Sequence, residues 1–66
     1  MGTGLNALEI VVLRGLARGH SLGEITRSAG ATPGGVGKAI ASLQMNGFVG
    51  DDGKLTPKGN EAAKSD

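Results

Sequence analysis

A chain of 66 residues makes a single domain, and one this short buries only roughly 60% of the surface its unfolded form exposes. With no cysteine and one histidine, disulfides and structural zinc are excluded as supports, which leaves association with a second copy; the lack of cysteine also fits a reducing cytoplasm. The net charge of +1 is low for a nucleic-acid binder, the lone aromatic Phe48 disfavours base stacking on single strands, and no apolar run is long enough for a signal peptide or a membrane span.

Residues 1–4, with Gly2 and Gly4, are expected to be a disordered start. Asn6 and Glu9 then form a capping box, with Leu5 and Ile10 spaced as its hydrophobic staple. Segment 5–18 is predicted as helix 1, helical from about Ala7 and stopped at Gly19. At 100° per residue, Leu5, Leu8, Val11, Val12, Gly15 and Leu16 share one face. Ile10, Leu13 and Ala17 form a second apolar stripe opposite. That stripe is covered either by the C-terminal helix of the same subunit or by a second copy, and the small core favours the homodimer.

Ser21 and Glu24 repeat the capping box and open helix 2 over 22–29, with Leu22, Ile25 and Ala29 inward and Gly30 as its stop. Thr32 is placed to cap helix 3 over 33–46, with Pro33 at the first helical position, where its missing N–H is harmless. Val36, Ala39, Ile40 and Leu43 form its predicted core face. After Gly47, a two-stranded hairpin is predicted over 48–55 around Gly50-Asp51-Asp52-Gly53. Thr56-Pro57 starts a last helix over 57–64.

Read together, these elements resemble the winged helix-turn-helix family across nearly the whole chain. Leu22, Ile25, Gly30, Val36, Ile40 and Leu43 carry the helix-turn-helix part. Asn46-Gly47-Phe48-Val49 resembles the entry to the first wing strand, and Leu55-Thr56-Pro57-Lys58-Gly59 is similar to the segment after the wing in MarR-like regulators. The resemblance implies a mainly α fold: a three-helix core, a small β-hairpin wing and a C-terminal helix. It further implies a dimeric regulator bound to double-stranded DNA, with helix 3 in the major groove and the wing on the backbone.

The residues give this expectation a specific but thin set of contacts. The start of helix 3 presents N–H groups that suit a phosphate. Opposite its core face lie Gly34, Lys38, Ala41 and Met45, flanked by Gly35 and Ser42. Lys38, Thr32 and Ser42 are the candidate groove contacts. Gly34 and Gly35 would let the backbone approach DNA, and Arg27 and Lys54 are the candidate backbone anchors. This face offers no arginine or asparagine for paired contacts to base edges, so sequence preference is expected to be modest. Asp51 and Asp52 at the hairpin tip oppose phosphate. The competing reading is a protein-interaction module docking a partner through Met45 and the glycine-lined face.

Two catalytic readings fail. Pro33-Gly34-Gly35-Val36-Gly37-Lys38-Ala39 superficially suggests a phosphate loop, but Thr32 replaces its first glycine and Ala39 its magnesium-binding hydroxyl. His20 and Ser21 are adjacent rather than convergent, and Ser21 serves as a cap. No enzyme activity, cofactor or metal is expected.

Overall fold

Each helix begins where a polar side chain can take free N–H groups of its first turn. The computed structural model describes residues 4–65, and in it four helices follow one another: α1 Ala7–Ala17, α2 Leu22–Ala29, α3 Pro33–Met45 and α4 Pro57–Ser65. Asn6 and Glu9 cap α1 reciprocally, with Glu9 N–H donating to Asn6 Oδ1 at 2.8 Å and Asn6 N–H to Glu9 Oε1 at 2.9 Å. Ser21 and Glu24 do the same for α2. The Thr32 hydroxyl accepts from Gly35 N–H at 3.1 Å at the start of α3. Thr56 Oγ1 accepts from Gly59 N–H at 3.1 Å at the start of α4, while donating to the Gly47 carbonyl at 2.6 Å. That last pair links the end of one helix to the start of the next.

Between α2 and α3 the chain reverses in three residues, Gly30 to Thr32. Gly30 takes a left-handed conformation (φ +64) that a side chain would disfavour. Its N–H reaches the Arg27 carbonyl at 3.2 Å, and Ala31 N–H reaches that of Thr26 at 3.2 Å. The core lies among all four helices: Val12 and Leu13 of α1, Ile25 of α2, Val36, Ala39 and Leu43 of α3, Phe48 and Val49 beyond it, and Ala62 of α4. Leu13, Leu43 and Val12 are its fully enclosed side chains.

The predicted fold class is corrected here: the domain is all-helical, and the two-stranded wing over 48–55 does not form. Among the described residues there is no strand, and Val49 and Leu55 make only an isolated antiparallel bridge. The physical reason is competition for backbone groups. Phe48 N–H, which further pairing with Thr56 would need, donates to the Leu43 carbonyl at 2.9 Å and closes α3, and Lys54 N–H donates to Asp52 Oδ1 at 2.9 Å within the turn. On the other side Thr56 already caps α4. What remains is a tight loop, pinned by Gly50 N–H to the Lys54 carbonyl at 2.8 Å and by Thr56 N–H to the Phe48 carbonyl at 3.0 Å.

A second correction concerns the stripe assigned to a dimer interface. Leu13 is wholly enclosed within the single chain, Ile10 is half-buried and Ala17 is exposed. α4 packs against α1, with Ala62 buried and Ala63 half-buried, and Leu13 is covered without a second copy. The core faces also differ in detail. Val11 and Leu22, expected inside, are 41% and 47% exposed, and Ile40 is only half-buried. The end of helix 1 moves by one residue, Arg18 being its cap rather than its last turn. The expected disordered start falls on residues outside those described, apart from Gly4. No helix among the described residues is long and apolar enough to cross a membrane.

Candidate nucleic-acid interface

The surface to which the sequence points is built on α3, so the cap that starts this helix comes first. Pro33 has no N–H, Gly35 N–H is held by Thr32 Oγ1, and Val36 N–H reaches the Thr32 carbonyl at 3.0 Å. Gly34 therefore carries the first-turn N–H that faces outward, at the positive end of the helix dipole. Gly34 and Gly37 are exposed, and a Cβ built on either would meet nothing within 4 Å. Nothing in the fold requires glycine there. The absence of side chains makes this side of α3 smooth and lets another molecule's backbone approach it.

Lys38 is exposed one turn further on, followed by Ala41 and by Met45, which is 88% exposed. Arg27, in the last turn of α2, is exposed beside the start of α3. With Leu22, Thr26, Pro33 and Gly37 it lines an open groove between the two helices. Arg27 thus shares a groove with Pro33 and Gly37 of α3, while Thr32, Gly34 and Lys38 are exposed along the first two turns of that helix. Gly35 is half-buried, with Leu8 Cδ2 3.8 Å from where its Cβ would stand.

Two candidate residues do not join this surface as expected. Ser42 is half-buried, and its hydroxyl is the foremost of the groups that hold the Glu9 carboxyl below its usual range. It is less accessible than Gly34 and Lys38 on the same helix. Lys54 is exposed but sits on the loop after α3, next to exposed Asp51 and Asp52. That loop is tied to the last turn of α3 by Gln44 Nε2 donating to the Gly50 carbonyl at 3.1 Å. With a rise of about 1.5 Å per residue, it lies roughly 18 Å along α3 from Thr32. Asp52 Oδ1 also accepts from Lys54 N–H at 2.9 Å, so this acid shapes the turn as well as charging it.

Sequence reasoning missed three residues that hold the surface in place. Glu9 is only 8% exposed, and its carboxyl is held below the usual carboxylate range. The Ser42 hydrogen bond contributes most, then Asn6 N–H, and both outweigh the opposing effect of burial. The capping box predicted Glu9 at the helix start, but not the partner it would find across the core. Lys58 Nζ donates to the Asn46 carbonyl at 2.7 Å and stands 4.7 Å from the centre of the Phe48 ring. It places a cation at the negative end of α3. Gln44 is the clasp on the loop. No protein-family model, curated protein or solved structure matches this chain.

Proposed function

We propose that this domain binds double-stranded DNA, placing the exposed side of α3 in the major groove, with a role in transcription regulation. The observation that carries the reading is the α2–turn–α3 unit itself. A three-residue turn on a left-handed glycine presents the start of α3, smooth and capped, beside Arg27 and Lys38. The outward N–H of Gly34 and the Arg27 guanidinium suit phosphates flanking the groove, and Lys38 reaches into it. Lys54 would add a third phosphate contact from the loop, weakened by Asp51 beside it. The face has no bidentate base reader, so recognition depends mainly on backbone and groove shape. The proposal needs only one copy of the chain.

A second reading, a protein-interaction module, is favoured by the exposure of Met45 (88%) and Leu22 (47%), large apolar groups left open to a partner. Fluorescence anisotropy of a labelled random duplex, titrated at about 50 and 200 mM salt, separates the two. Two cationic phosphate contacts, Arg27 and Lys54, give a log–log salt slope of about −1.8 and about a twelvefold loss of affinity across that range. Arg27→Ala is expected to make the slope shallower by about 1. No binding at the lower salt rejects the DNA reading in favour of the protein-interaction module.

A further inference from the structure

On the side of the molecule formed by the end of α1 and the middle of α2, the two helices part to leave a cleft of about 260 Å³. Its floor is apolar and built around Gly15, which is buried against Ile25. Val11, 41% exposed, forms an apolar wall. Arg14 and Arg18, one helical turn apart, stand at one rim, and His20 stands at the end of the cleft. Ser28 adds a hydroxyl from α2. No acid is among the lining residues. The carboxylate that faces His20 is Glu24, 3.8 Å from Nδ1, and it is also engaged by Ser21 at the cap of α2.

We propose that this cleft binds a small phosphate monoester, its dianion on Arg14 and Arg18 and its carbon part against Val11 and Ile25. Charge decides for phosphate. Two guanidiniums at i and i+4 repel each other, and a dianion neutralises both where a carboxylate neutralises one. Their planar donor forks match the oxygens of a phosphate, and His20 and Ser28 supply further donors at the same mouth. Shape decides for an ester. The floor and wall are apolar side chain, which gives inorganic phosphate nothing to bury but gives an organic group a surface. The small volume limits that group to about the size of one ring or a short chain. This site is separate from the α3 surface and does not rest on the DNA reading.

The test is a heteronuclear NMR titration of the full chain with phenyl phosphate, inorganic phosphate and benzoate, following backbone amides. The expected result is saturable shifts at Gly15, Arg18, His20 and Ser28 with phenyl phosphate, and much weaker binding of the other two. Arg18→Gln, at an exposed position, is expected to weaken phenyl phosphate about tenfold while leaving the rest of the spectrum in place. Arg14→Gln is expected to act in the same direction, with its spectrum reporting whether the fold is kept. Equal affinity for inorganic phosphate overturns the role of the apolar wall, and equal affinity for benzoate overturns the dianion. Shifts that never saturate, or that spread equally to Lys38 and Arg27, overturn the site. Since the DNA titration reads α3, either proposal can fail while the other stands.

Discussion

Glu9 of α1 and Ser42 of α3 act on each other across the two helices: the Ser42 hydroxyl is the largest influence that holds the Glu9 carboxyl below its usual range. Glu9 also accepts from Asn6 N–H at 2.9 Å, so the carboxylate that Ser42 influences is the one that caps α1. Ser42→Ala is expected to cost about 1–2 kcal/mol, because a buried carboxylate loses a donor. Urea unfolding measures that cost. DNA affinity, in contrast, is expected to stay the same, and a marked loss of binding without loss of stability would place Ser42 in the groove.

The same carboxylate predicts an acid limit to stability. Glu9 has a folded-state pKa below its ordinary 4.5, so its contribution is fully present above that value and is lost as pH falls through the folded one. Glu24 is shifted in the same direction by the Ser21 cap, but it is fully exposed and adds little. Stability of the unaltered chain is therefore expected to fall from about pH 4.5 downward. Glu9→Gln is expected to be less stable at neutral pH and to lose less on acidification. Thermal unfolding at pH 7, 5, 4 and 3 reads both effects, and parallel pH curves for the two proteins would remove Glu9 from the account.

Glycine substitutions divide the fold from the presented surface. A Cβ on Gly59 would run into the Phe48 carbonyl oxygen and come within 3.2 Å of Leu55 Cδ2, and neither backbone can move aside without opening the start of α4. Gly59→Ala is expected to cost about 2–3 kcal/mol. Gly37 has open space at the same point, so Gly37→Ala is expected to stabilise α3 by about 1 kcal/mol through helix propensity alone. Melting curves of the two variants should move in opposite directions.

Leu13 distinguishes a core residue from an interface residue. It is wholly enclosed within one chain, so Leu13→Ala is expected to cost about 2–5 kcal/mol at any protein concentration. Unfolding midpoints measured over a hundredfold range of concentration check this. A midpoint that rises with concentration in the parent chain and not in the variant would restore Leu13 to a subunit contact.

By itself the sequence determined the helices, because their starts and stops depend on local hydrogen bonds. Asn6 with Glu9, Ser21 with Glu24, Thr32 before Pro33, and Gly30 after Ala29 each satisfy backbone groups within a few residues, and all appear where they were expected. What the tertiary structure alone decided is which long-range partner each group takes. The hairpin had the right turn residues, yet Phe48 N–H takes the Leu43 carbonyl, so pairing stops at the single Val49–Leu55 bridge. Helix 1 carried two apolar stripes, and nothing local says whether Leu13 meets α4 or a second chain. Val11 and Leu22 have the spacing of core residues but lie where the helices part. Ser42 and Glu9 are 33 positions apart, a distance over which helical periodicity predicts facing but not bonding.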